Sequence, residues 1–230
     1  MTVENLVSVA SALADPTRAR MLVALMDQRV WRTARDLAQV AGVAASTATG
    51  HLNHLVDLGI LLERRRGRYR DVRLAGPHVA EVIEAVAALG NRPDAPVRGL
   101  REASIKAALA RGRTCYDHLA GMLGIAITDA LVRSRLLTHE SLTLTAEGEA
   151  WLSEALGSPF QPGRRQPSRA CLDWTERRPH LAGAAGAHIS TVFHERQWVR
   201  PTGSSRAVLV TPTGNDALRR LFGGKISTVG

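Results

Sequence analysis

The chain has 230 residues, 45% of them hydrophobic and 22% charged, which suits a soluble globular protein of one large or two modest domains and excludes a disordered chain. It has no run of about 18 apolar residues, and its start, MTVENLVSVA, lacks the basic stretch and long apolar segment of a secretion signal, so no membrane partner is expected and the cytoplasm is the expected compartment. The net charge is +9 and almost wholly arginine, Lys106 and Lys225 being the only lysines, a balance compatible with a polyanionic partner.

The segment LADPTRARMLVAL predicts a helix capped by Asp15, with Pro16 at the first helical position, where no N–H is needed. Met21, Leu22 and Leu25 then recur at helical spacing. TARDLAQVAG predicts a second helix, capped by Thr33, with Leu37 and Val40 turned inward and Gly42 ending it. In VAASTATGHLNHLVDLG the apolar positions are Leu52, Leu55 and Leu58, and Gly59 closes the helix. Its early positions Ser46, Thr47, Thr49, Gly50 and His51 are small or polar. Two short helices with such a face on the second make a helix-turn-helix pattern, whose hydroxyls reach base edges or phosphates in a major groove. An ordinary helical hairpin would give the same pattern.

The next stretch, ILLERRRGRYRDVRL, separates the two readings. It predicts two strands around a turn at Arg66-Gly67, crowded by Arg64, Arg65, Arg66, Arg68, Arg70 and Arg73 with Tyr69 among them. So basic a hairpin repels itself unless an anion faces it, and directly after a recognition-type helix it reads as a wing gripping phosphates.

Residues 5–90 in this order and spacing, ending with the helix HVAEVIEAVAAL, resemble the winged-helix domain of ArsR-type transcriptional regulators. The resemblance implies a homodimer on an inverted-repeat operator of double-stranded DNA, commonly a repressor released by a signal. The dimer interface it implies uses the helix through Leu6, Val9 and Leu13 and the helix through Val82, Ile83, Val86 and Leu89. The metal sites of that family do not carry over. WRTARDLAQ has no cysteine, and His78 and Glu81 stand without the second pair that a site on the last helix needs.

The stretch GNRPDAPVRG reads as a linker, placing a DNA-binding and dimerisation domain at 1–90, a connection at 91–99 and a second domain at 100–230. The second domain contains a repeat, with copies at about 113–157 and 169–223. HLAGMLGIAITDALVRSRLL, a strand LTLT and AEGEAWLSEAL correspond to HLAGAAGAHISTVFHERQWV, a strand AVLVT and PTGNDALRRLF. Gly124, Ile127, Thr145 and Gly148 match Gly186, Ile189, Thr211 and Gly214, and both threonines are expected to cap helices. Each copy is read as helix, strand and capped helix. The expected fold is therefore mainly α with small β wings: an N-terminal winged helix-turn-helix and a C-terminal α+β domain of two repeats. Seven of the nine aromatics lie in this domain, as core or around an apolar pocket between the copies for a small organic ligand.

Both cysteines also lie there. RTCYDHLAG gathers Cys115, Tyr116, Asp117 and His118, and Cys171, Asp173 and His180 echo them. On a helix, Cys115 and His118 share a face. Four readings follow. The thiols are small buried apolar groups and the imidazoles core hydrogen-bonders. Or the thiols form a redox switch tuned by the imidazoles or by Arg113 and Arg169. Or Asp, His and Tyr116 anchor a ligand. Or zinc takes Cys115, His118, Cys171 and His180; but C-x2-H and C-x8-H match no tight knuckle, so no metal or other cofactor is expected. The HLAG portion is attributed to close helix packing between the copies, and the Cys-Tyr-Asp portion is where sensing is expected.

The expected function is a sequence-specific DNA-binding regulator, a repressor released by a small-molecule or thiol signal and not an enzyme. Ser46, Thr47, Thr49 and His51 are the expected base contacts and Arg64 to Arg70 the phosphate contacts, with Arg68 entering the minor groove. Two alternatives remain at this point: an enzyme with Cys115 as nucleophile and His118 as base, and an architectural protein that binds DNA without a signal.

Overall fold

The computed structural model describes residues 2–26, 31–90, 99–203, 206–223 and 226. The chain divides into two compact units, Met1–Ala80 and Glu81–Gly230.

The first unit is a winged helix-turn-helix. Helices α1 (Val3–Ala14) and α2 (Pro16–Ala24) precede a short strand β1 (Arg32–Thr33), helices α3 (Ala34–Ala41) and α4 (Ala45–Asp57), and the hairpin β2 (Leu61–Arg66) and β3 (Tyr69–Leu74). The capping signals act as expected, whereas Val40, expected to turn inward, is exposed and Ala41 is buried in its place. Asp15 accepts the Arg18 N–H at 2.8 Å ahead of Pro16. Thr33 and Asp36 exchange hydrogen bonds in a capping box, and Gly42 ends α3 at φ 72°. Met21, Leu22, Leu25, Leu37, Leu52, Leu55, Leu61, Val72 and Leu74 are buried and form the core. The sheet order is β1-β3-β2, antiparallel, with Arg66 opposite Tyr69. Gly67 and Arg68 are thus the two turn residues, one position on from the expected turn, because Gly67 at φ 61° supplies the left-handed first position that a two-residue hairpin favours.

The division falls inside α5 (Pro77–Gly90) rather than after it. Glu81 and Glu84 explain this. Glu81 pairs with Arg169 at 2.5 Å, and the buried Glu84 pairs with Arg206 and lies 3.8 Å from Arg113. The expected linker at 91–99 lies, apart from Gly99, outside the described residues.

After α6 (Leu100–Arg111), the second unit shows the repeat, but each copy opens with a β-hairpin. The first copy is β4 (Arg113–Cys115), β5 (His118–Ala120), α7 (Gly121–Arg133) and α8 (Ala146–Glu154). The second is β6 (Arg169–Leu172), β7 (Pro179–Ala182), α9 (Gly183–Glu195), β8 (Val199–Pro201), β9 (Val208–Val210) and α10 (Pro212–Phe222). The HLA triplets, expected to begin helices, are strands. The expected LTLT strand is reduced to a bridge between Leu137 and Leu144, since Leu142 sits at φ 53° and Thr138, Ser141 and Thr143 tie a turn through their hydroxyls. Thr145 and Thr211 do cap α8 and α10, each accepting an N–H at 3.0 Å. A Cβ on Gly148 would lie 2.1 Å from the Leu136 carbonyl and one on Gly214 2.0 Å from that of Trp198, so both helices start hard against the preceding backbone.

Leu119, Leu123, Ile127, Leu181, Ile189 and Phe193 belong to one core that draws on both copies. Where Gly124 and Gly186 meet there is a small void lined by Leu119, Ile127, Thr128, Leu181 and Ile189. It has room for about one water, so it is not the organic-ligand pocket expected between the copies.

Candidate nucleic-acid interface and a buried cysteine-histidine cluster

Helix α4 buries Ala48, Leu52 and Leu55 and leaves Ser46, Thr47, Thr49 and Gly50 exposed, so the small polar face is presented outward. The Thr49 hydroxyl donates to the Ala45 carbonyl at 2.9 Å and keeps lone pairs for a donor. The His51 Nδ1 lies 3.4 Å from Arg18 Nη1 and 3.9 Å from Asp15 Oδ1, so the ring is turned onto the start of α2.

The wing partly neutralises itself. Arg64 and Arg66 both approach the buried Asp71 through Nε, at 3.2 and 3.4 Å. Arg70 is divided between Glu63 at 2.5 Å and Asn53 at 2.6 Å. Arg64 and Arg73 flank the Trp31 ring, 4.3 and 4.6 Å from its centroid. Arg68 lies 5.7 Å from the ring centroid of the exposed Tyr69. Arg65 and Arg68 have no carboxylate partner among the described residues and are the wing cations most available to phosphate.

The other candidate residues converge in the second unit. Cys115 is paired with His118 across β4–β5, and Cys171 with His180 across β6–β7. The two hairpins bring these four side chains to one point: their ligand atoms all lie within 4.8 Å of one another, and all four residues are buried. The shared face expected for Cys115 and His118 is real, but it comes from strand pairing. Tyr116, at φ 60°, turns the chain where a helix was read. The spacing argument against a metal assumed a local knuckle and has no force for two paired hairpins.

Each histidine is backed by a carboxylate. His118 Nδ1 lies 2.9 Å from Asp117 Oδ1, and His180 Nδ1 lies 3.4 Å from Asp173 Oδ2. Burial pushes the Asp117 carboxyl up, but His118 and Arg165, the latter at 2.6 Å, outweigh it and hold it below its usual value. Burial acts likewise on Asp173, and is outweighed by Arg113, Thr175, His180 and the Gly121 N–H, which donates at 2.7 Å. Asp173 thereby satisfies the N-terminus of α7, which has no side-chain cap of its own. The two Nε2 atoms face each other at 3.0 Å.

The thiols are unequal. The hydrogen bond between them raises Cys115, with burial adding to the rise, and lowers Cys171, which His118 and His180 lower further. Gly124 and Gly186 make room for this centre: a Cβ on Gly186 would lie 3.1 Å from the His118 Cβ, and one on Gly124 3.8 Å from that of His180. The last glycine of each HLAG-x2-G therefore admits the other copy's histidine, as well as the carbonyl of Leu119 or Leu181, while Gly121 and Gly183 lie against the backbone of Ala110 and Gln166.

Arg113 was expected only as a tuner of the thiols, and Glu84 was not expected at the site. Arg113 is fully buried, 3.1 Å from Asp173, 3.1 Å from the Thr175 hydroxyl and 4.8 Å from the Trp174 ring centroid. Nothing local in EVIEAV distinguishes the buried Glu84 from an exposed helical glutamate.

Residues 15–61 match the family described as bacterial regulatory proteins, arsR family. The chain is 35% identical over 226 residues to the uncharacterized HTH-type transcriptional regulator YdfF of Bacillus subtilis (strain 168), covering 96% of this chain and 99% of that relative. The chain belongs to the ArsR family. The YdfF similarity runs through the second unit, so the duplicated extension is shared. A probable mercury resistance operon repressor of Streptomyces lividans is 35% identical over 72 residues, 31% of this chain and 56% of its own. Among solved structures, the homodimeric winged helix-turn-helix DNA-binding domain Mb0332 of Mycobacterium bovis is 28% identical over 38% of this chain and 79% of its own, with a TM-score of 0.35. This ArsR-family chain is a DNA-binding transcriptional regulator. Among the described residues no helix is long and apolar enough to cross a membrane.

Proposed function

We propose that the chain is a homodimeric repressor that binds an inverted-repeat operator in the cytoplasm and is released by a signal received in its second unit. The observation that carries the DNA-binding geometry is the exposed Ser46–Thr47–Thr49 face of α4, followed by a wing whose Arg65 and Arg68 lack carboxylate partners among the described residues. Dimerisation is supported by apolar side chains that α1 and α5 leave in solvent: Val3, Leu6 and Val7 on α1, and Val82, Val86 and Leu89 on α5. Repression follows the S. lividans relative, a probable operon repressor. Release acts by misaligning the two α4 helices with major grooves about 34 Å apart. The rival reading, with Cys115 as a nucleophile, is disfavoured because that thiol is buried and held protonated.

The test is fluorescence anisotropy of the purified chain with DNA upstream of its own coding region, at fixed salt. Affinity at least about 1,000-fold above that for random DNA supports the reading. Equal affinity for both would make the protein an architectural binder. Sedimentation of Leu6→Asp should give a monomer with strongly weakened operator binding; unchanged dimerisation would remove α1 from the interface.

A further inference from the structure

We infer that Cys115, His118, Cys171 and His180 form a four-ligand site for one thiophilic divalent transition metal of the zinc class, closed between the two repeats of the second unit. A carboxylate only accepts hydrogen bonds, so the Nδ1 of His118 facing Asp117 carries a ring proton. The His180 Nδ1 lies 3.4 Å from Asp173 Oδ2 without a hydrogen bond to it. The two Nε2 atoms face each other across 3.0 Å. A shared proton would satisfy these nitrogens alone; a metal ion also takes the two sulfurs that converge on the same point.

The dimensions agree. Zinc–nitrogen bonds of about 2.0–2.1 Å in a tetrahedron place two nitrogens about 3.3 Å apart, and zinc–sulfur bonds of about 2.3 Å place two sulfurs about 3.8 Å apart. The two nitrogens, 3.0 Å apart, are slightly inside their edge, and no ligand atom lies more than 4.8 Å from another. The donors, two thiols and two imidazoles, exclude hard cations such as magnesium or calcium. The carboxylates behind both rings are the outer partners that fix tautomer and ring orientation in such sites. Arg165 on Asp117 and Arg113 on Asp173 hold those carboxylates in turn. Each repeat gives one cysteine and one histidine, so neither can close the site alone. On loading, whatever protons the two sulfurs and the two Nε2 atoms hold pass to solvent, and the metal takes two thiolates and two neutral imidazoles, with no redox change.

The experiment uses the whole reduced chain, stripped with chelator and titrated anaerobically with Co2+, then Zn2+. Saturation at one Co2+ per chain is expected, with a thiolate-to-cobalt charge-transfer band, the intense visible bands of four-coordinate cobalt, and loss of both when one equivalent of Zn2+ is added. Cys115→Ser and Cys171→Ser should each lose about half of the charge-transfer intensity, as expected for one of two thiolates. Asp117→Asn, which keeps all four ligands, should weaken Co2+ binding about 10- to 100-fold with an unchanged circular dichroism spectrum. The inference is overturned if the folded wild-type chain shows no such band at one equivalent. It is equally overturned if the band survives in the double cysteine variant, or if the thiols of the freshly isolated chain form an intramolecular disulfide that no metal protects.

Discussion

The two units handle charge in opposite ways. In the winged helix, six arginines on β2, β3 and their turn meet only Glu63 and Asp71, and three of them, Arg65, Arg68 and Arg73, have no carboxylate partner among the described residues. In the second unit a set of ionised groups lies inside: Arg113, Asp117, Asp173 and Glu84 are almost wholly removed from solvent and each meets an opposite charge. Exposed cations act by number and field, and each is individually dispensable. Buried charges act by position, and removing one strands its partner. The first arrangement suits a polyanion of variable sequence, the second a fixed centre of defined geometry.

The largest effect expected from this contrast is Arg113→Met. It leaves Asp173 and Glu84 buried without one of their cations and should lower the unfolding free energy by about 3–5 kcal/mol in urea. A loss under 1 kcal/mol would mean that the network is not a unit. Next is a pair of identical glycine changes. Gly124→Ala puts a Cβ 2.4 Å from the Leu119 carbonyl and should cost about 1–3 kcal/mol, whereas Gly50→Ala, on the exposed side of α4 with nothing within 4 Å, should stabilise by about 0.5–1 kcal/mol. The same sign at both sites would erase the distinction. The smallest effect is electrostatic. Arg68→Ala should reduce the salt dependence of operator binding by about one unit of slope, and Arg64→Ala, already paired with Asp71, by less. Equal slopes would show that internal pairing does not withhold an arginine from phosphate.

What could be read from the chain follows the range of the interactions. The caps at Asp15, Thr33, Thr145 and Thr211 act within three residues, and the wing is a two-residue turn between neighbouring strands, so both were legible locally. The cluster residues were named, but on the wrong scaffold. Tyr116 and Arg177 take positive φ without being glycine, and HLA continues into a helix, so no turn signal marked the hairpins. Their approach to one another depends on pairing copies 62 positions apart in sequence, which is visible as a repeat but not as a distance. The contact of His51 with Arg18 was not legible because Arg18 belongs to another helix. Glu84 is made special only by Arg113 and Arg206, far along the chain.

The order in which the ligands occur also sets the order in which the protein is completed. A ribosome releases the winged helix first, then Cys115 and His118, and 56 residues separate Cys115 from Cys171. During that interval the nascent chain holds half a site, with one sulfur and one nitrogen and no second pair to meet them. The centre therefore closes only once His180 has been made, later than the DNA-binding unit. A chain truncated before His180 would carry a complete winged helix and an open hairpin, and so would separate operator recognition from whatever the finished cluster controls.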